Sequence, residues 1–174
     1  MRNFLITGKP GSGKSTLIQK LMDRYKDRNI SGIVTPDMRR GHKRYGFKII
    51  DIASGNEEIL ASVDVKSDKK VSKYGVDMEA IGRIMDKWME SFEDAGIFMV
   101  DEIGKMELYS EKFKRVVRSV LDSDKPVIAT IQMSRDPFCE KIKKRGDSEV
   151  LFLTKENKDE IFDKITSALD SAVS

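Results

Sequence analysis

Cysteine is nearly absent. The single Cys139 among 174 residues excludes an internal disulfide and a cysteine cluster for zinc. No histidine lies near it in sequence, so it reads as a core-facing helix residue and not a nucleophile. The one histidine, His42, sits among Gly41, Lys43 and Arg44 and reads as a solvated turn residue. Asn and Gln are scarce (four and two) while Lys and Glu are common, a bias of heat-adapted proteins that nine methionines offset. No apolar run approaches the length of a membrane span, and no signal-peptide pattern precedes the first apolar run. The cytoplasm is therefore the expected compartment and no membrane partner is indicated. An excess of charge is also missing. The 32 basic and 29 acidic residues leave +3, too little to indicate nucleic acid as the main partner. With 35% charged and 39% hydrophobic residues, the chain reads as globular, one domain over residues 1–174, and a monomer.

What is present begins at residue 8. Gly8-Lys9-Pro10-Gly11-Ser12-Gly13-Lys14-Ser15, followed by Thr16, is a complete Gly-x-x-x-x-Gly-Lys-Ser phosphate-binding loop. Phe4-Leu5-Ile6 before it reads as a buried strand. Leu17, Ile18, Leu21, Met22 and Tyr25 after it repeat at helical spacing. Strand, loop and helix aim consecutive backbone N–H groups and a helix N-terminus at one point, a site for a polyanion. Lys14 adds a point charge for the β and γ phosphates, and the Ser15 hydroxyl suits Mg²⁺.

Five segments read as strands of a parallel sheet: 3–7, 32–35, 97–101, 126–131 and 150–154. Helical stripes run through Ile81, Ile84, Met85, Trp88 and Phe92, through Phe113 to Leu121, and through Ile161 to Leu169. Asp136-Pro137 reads as the capped start of a short helix, and Thr154 as the cap of the last one. This alternation predicts an α/β layered fold. Residues 44–52 and 58–65, separated by Ala53-Ser54-Gly55-Asn56, read as a β-hairpin inserted between the second and third parallel strands. The polar stretch 67–73 reads as a mobile connection.

A second constellation closes the apolar run Ile97 to Val100. Asp101 and Glu102 fall at the C-terminal edge of a strand, where doubly wound sheets place ligands. Asp101 can hold Mg²⁺ through water opposite Ser15, and Glu102 can orient or deprotonate an attacking water. This favours a Mg²⁺-dependent nucleoside-triphosphatase. A nucleoside, nucleotide or polynucleotide kinase with hydrolysis as a side reaction is the alternative. The cations Arg39, Arg40, Lys43 and Arg44 suit a lid or a solvated turn, and Arg39 or Arg44 suits an arginine finger at the γ-phosphate. Tyr74 and Tyr109 are candidates for stacking on a base. Thr154-Lys155-Glu156-Asn157 is close to a guanine-reading motif, but it ends in Asn, which lacks the paired acceptor oxygens.

These motifs together resemble the small nucleoside-triphosphatase family first associated with thermophiles, whose animal members are called cancer-related nucleoside-triphosphatases. The most specific block is Asp101-Glu102-Ile103-Gly104-Lys105-Met106-Glu107-Leu108-Tyr109-Ser110, supported by Thr35, Asp37, Arg39, Gly41, Arg44, Gly46-Phe47 and Lys73-Tyr74-Gly75-Val76. The resemblance implies a P-loop NTPase three-layer sandwich, with a further strand between the loop strand and the Asp101 strand. It implies hydrolysis of several nucleoside 5′-triphosphates to diphosphates with Mg²⁺ and low base selectivity. It carries nucleotide binding onto Gly8 through Ser15 and onto Asp101, Glu102, Ile103, Gly104 and Lys105. Departures from the family pattern fall at Asp37, at residues 132–136 and at Asn157-Lys158.

Overall fold

A computed structural model describes residues 3–171. In chain order they form β1 (Asn3–Thr7), α1 (Lys14–Arg24), β2 (Ile30–Val34), β3 (Asp37–Arg40), β4 (Lys43–Asp51), β5 (Glu57–Ser62), β6 (Lys70–Val71) and β7 (Tyr74–Val76). Then follow α2 (Met78–Glu90), β8 (Ile97–Ile103), a 3-10 turn at Glu107–Tyr109, α3 (Glu111–Asp122), β9 (Val127–Ile131), α4 (Pro137–Lys143), β10 (Ser148–Phe152) and α5 (Lys158–Ser171).

One sheet runs in the order β10-β1-β9-β8-β2-β4-β5-β7-β6, with β3 alongside β4. The stretch from β10 to β2 is parallel; β3 to β7 are antiparallel. Strand β9 lies between the loop-bearing β1 and the acid-bearing β8, as the resemblance implies.

Alternation along each parallel strand explains the layers. Phe4 and Ile6 of β1, with Ile97 and Met99 of β8, pack against Leu17, Ile18 and Leu21 of α1 and Ile161, Ile165 and Leu169 of α5. Leu5, Phe98 and Val100 face the other way, onto Ile81, Ile84 and Trp88 of α2, Phe113 and Val117 of α3, and Cys139 of α4. Both faces are covered, which is why these strands read as continuous apolar runs.

Three local expectations change. The inserted segment is larger than one hairpin, because β3 joins β4 across the Gly41-His42 turn and β6 and β7 extend the sheet beyond β5. The stretch 67–73 therefore contains a paired strand rather than a mobile connection. Thr154 is not the cap of α5; its N–H donates to Asn157 Oδ1 at 2.7 Å, and Asn157 immediately precedes the helix. Asp136 does cap α4, accepting from the N–H groups of Phe138 and Cys139.

Candidate active site

Helix α1 starts differently from its neighbours. Asp77, Ser110 and Asp136 accept N–H groups at the starts of α2, α3 and α4. At α1 the cap is Gly13, in the left-handed region at φ +100°, with no side chain closing the end. A non-glycine residue would be strained there. The first N–H groups of α1 therefore stay open to an anion, and the macrodipole favours one. The Lys14 ammonium donates to the Gly8 carbonyl at 2.7 Å, across the loop.

The acids are set by an irregularity in β8. Val100 pairs with Ala129 and Ile103 with Ile131, so Asp101 and Glu102 stand where β9 supplies only Thr130. Such a bulge re-aims side chains at the end of a ladder. The peptide bond between the two acids is cis. The Thr130 hydroxyl donates to Asp101 Oδ1 at 2.7 Å, and the Thr35 hydroxyl donates to the Asp101 carbonyl at 2.9 Å. Asp101 is thus fixed from strands on both sides. Burial raises the Glu102 pKa above the usual carboxylate range; the Lys14 charge opposes this and Asp101 adds to it.

Lys14, Ser15, Asp101 and Glu102 open into one cavity of about 620 Å³. Thr35, Asp37, Arg44, Lys105, Glu107 and Gln132 also line it, together with apolar residues of the antiparallel extension. The remaining loop residues, Gly8, Lys9, Pro10, Gly11, Ser12, Gly13 and Thr16, stand outside its lining. Ile103 is buried in the core, and the Gly104 N–H donates to Glu107. Arg39 is engaged by Asp37 and the His42 carbonyl and does not line the cavity, so Arg44 is the guanidinium nearest this chemistry. Tyr74 is buried edge-on against Phe47, which removes it as a base-stacking surface; Tyr109 stays exposed. A second cavity, about 700 Å³, lies between α1, α2 and the β4–β5 turn and touches none of the phosphate-loop residues.

The sequence pattern assigns no chemical part to Thr130, Gln132 or Glu107. The first reads as one more residue of a buried strand, and nothing in a sequence marks an acid that will be buried. Glu107 is 4% exposed, accepts the Gly104 N–H at 3.0 Å, and is pushed up to about 8 by burial, with Glu102 and Asp101 adding to the shift. Burial thus favours its protonated form. A carboxyl raised in this way stabilises the fold fully below its ordinary value of 4.5 and loses that contribution as pH climbs toward 8. The loss is about 1.4 kcal/mol per pH unit crossed. Glu107→Gln keeps an acceptor and cannot ionise. Its unfolding free energy, from urea titrations between pH 5 and 8, is expected to fall less with pH than that of the parent, by a few kcal/mol over that span. Parallel profiles would refute the assignment.

Comparison with known proteins identifies the family. The sequence profile of a family described as NTPase matches residues 3–166. The chain belongs to that nucleoside-triphosphatase family. It is 46% identical over 167 residues to the nucleoside-triphosphatase THEP1 of Thermotoga maritima, covering 95% of this chain and 94% of that protein. With THEP1 of Methanocaldococcus jannaschii it shares 38% over 172 residues, covering 97% of each. Among solved structures, THEP1 from Aquifex aeolicus superposes with a TM-score of 0.83 at 35% identity, covering 96% of this chain and 98% of that one. A human cancer-related nucleoside triphosphatase gives 0.81 at 29% identity, covering 98% of each. The family makes this chain an enzyme, a nucleoside-triphosphatase on a P-loop α/β fold. Among the described residues, no helix is long and apolar enough to cross a membrane.

Proposed function

We propose that the enzyme removes the terminal phosphate of ATP, GTP, CTP and UTP with Mg²⁺ and little selectivity for the base. The observation that carries this reading is that Lys14 and Ser15 share one cavity with Asp101 and Glu102. The donor set suits the ion. Thr130 takes up Asp101 Oδ1, leaving the second carboxylate oxygen, and Ser15 adds a hydroxyl. Among the described residues no three His, Cys, Asp or Glu cluster as a cage. Few protein oxygens, completed by water and substrate phosphates, is the arrangement Mg²⁺ favours. When bound, the ion would neutralise charge on the β and γ oxygens.

The chain's own residues supply the rest. The open N–H groups at the start of α1 hold the phosphates. Lys14 exchanges the Gly8 carbonyl for a phosphate oxygen, and Glu102 orients the attacking water and accepts its proton. Arg44 stands at the cavity wall as the cation for developing γ-phosphate charge. Low base selectivity is supported by Asn157, whose amide is engaged within its own loop. Oδ1 accepts from Thr154, and Nδ2 donates to the Phe152 carbonyl at 2.9 Å. One acceptor and one donor position of that side chain are thereby committed to its own loop.

The test is phosphate release from the four triphosphates with Mg²⁺, repeated with EDTA. Rates are expected to agree within about tenfold, a span that contact with one part of the base readily produces. Chelation should bring them to background, and added Mg²⁺ should restore them. Full activity in EDTA would refute the metal's role; a single favoured base would refute the broad specificity.

A further inference from the structure

The second cavity, of about 700 Å³, stands at the edge of the sheet away from the chemistry. Asn29 and Asp94 in its wall precede β2 and β8, whereas the phosphate loop and the Asp101-Glu102 pair lie at the C-terminal ends of β1 and β8. Its floor holds a charge without a counter-charge. Asp51, the last residue of β4, is 1% exposed. Ser54 donates twice to Oδ2, from its N–H at 3.0 Å and its hydroxyl at 2.6 Å. Both donors are neutral, and Oδ1 is buried with no hydrogen-bond partner. A buried carboxylate in that condition is costly, and a cation brought beside it relieves the cost. The walls carry the same sign. Asp23, Glu90 and Asp94 are exposed there with Lys26 and Lys87, and Lys87 is already held by Glu90 at 3.2 Å. Four carboxylates thus meet two ammonium groups, on a chain whose net charge is +3. The last turns of α1 and α2 also reach the cavity, through Asp23 and Glu90, so the negative ends of two helix dipoles add to its field.

The form of the ligand follows from how this charge is spread. Among the described residues no three His, Cys, Asp or Glu gather closely enough to hold a metal ion, so a single point charge does not fit. The same walls include the apolar side chains of Met22, Ile30 and Ile52. Dispersed acids on a partly apolar surface suit cations separated by methylene groups. The geometry points to a binding site for a linear aliphatic polyamine. One ammonium, which has three donors and no acceptor, supplies the partner that Asp51 Oδ1 lacks. The others meet Asp23 and Asp94 at the rim, and the methylene chain lies along the apolar side chains. A neutral donor such as an amide would complete the hydrogen bond and leave the charge uncompensated. The exposed Ala53-Ser54 turn lines the cavity and covers Asp51, so a small shift of that turn admits the ammonium.

The experiment titrates the nucleotide-free enzyme with spermidine at about 0.15 M NaCl, by calorimetry and by ¹H–¹⁵N correlation NMR. One site with a Kd of about 1 mM or tighter is expected. The largest shifts should fall in residues 19–30, 51–54 and 87–94. Butylamine, with one ammonium, should bind about tenfold or more weakly. Asp51→Asn keeps the side chain's shape, removes its charge and should weaken spermidine about tenfold or more. The double variant Asp23→Asn, Asp94→Asn changes only exposed acids and should weaken it about fivefold, which keeps the test open if Asp51→Asn does not fold. Phosphate release from ATP should be unchanged in every folded variant. No binding, unaltered affinity in the variants, or shifts confined to the phosphate loop and Asp101-Glu102 would overturn the inference. Equal affinity for butylamine would overturn the polyamine class, and displacement of spermidine by equimolar Mg²⁺ would show a metal site instead.

Discussion

Glu102→Gln is expected to slow single-turnover phosphate release by about 10²–10⁴-fold while nucleotide affinity changes by less than about threefold. The substitution preserves shape and removes the ability to take a proton. In the fold Glu102 is half-buried at the end of β8, with a pKa raised chiefly by burial and held back by Lys14. A carboxylate of raised basicity is better suited to take a proton from water. Lys14→Ala provides the contrast. It deletes charge directed at the phosphates themselves, so affinity and turnover should fall together. Quench-flow phosphate release paired with a fluorescent-nucleotide titration separates the two patterns. Parallel losses of binding and rate in Glu102→Gln would show that this carboxylate holds the ligand and does not act on water.

Gly32→Ala is expected to cost more than about 4 kcal/mol of stability, the range reserved for severe steric conflict. Gly32 lies in β2 at φ +148°, paired with Met99 of β8, and an added Cβ would stand 1.7 Å from the Met99 carbonyl oxygen. That atom belongs to the backbone at the centre of the sheet, two residues before Asp101, so it has nowhere to move without opening the β2–β8 ladder. Gly82, inside α2, has nothing within 4 Å of the corresponding point. Gly82→Ala should gain up to about 1 kcal/mol from helix propensity. Urea midpoints of the two variants check the pair. A mild effect at Gly32 would mean that the ladder there is more pliant than the structure indicates.

The parts of the fold readable in advance share a physical character. The phosphate loop is contiguous, and its glycines and lysine are required by the backbone path itself. The parallel strands are short apolar runs because both faces are buried. The helices carry apolar stripes and, at Asp136, a cap before proline. Less legible was whatever depends on pairing across distance. β3 is Asp37-Met38-Arg39-Arg40, a charged strand with one buried residue, and β6 is only Lys70-Val71. Neither shows a period, and each exists because a neighbour offers a free edge. At the site, Asp101 and Glu102 could be placed on a strand end, but the Thr130 and Thr35 bonds that fix Asp101 arise from β9 and β2 lying on either side of β8. The Thr154 cap failed because Asn157, three residues on, offers both a donor and an acceptor to the same turn.

The resting position of Lys14 bears on how ligand capture begins. Its ammonium is tethered to the Gly8 carbonyl, so the long side chain has already surrendered much of its rotational freedom before any anion arrives. Capture then amounts to a partner swap over a short arc, in which one charged hydrogen bond replaces another and little further ordering is required of the lysine.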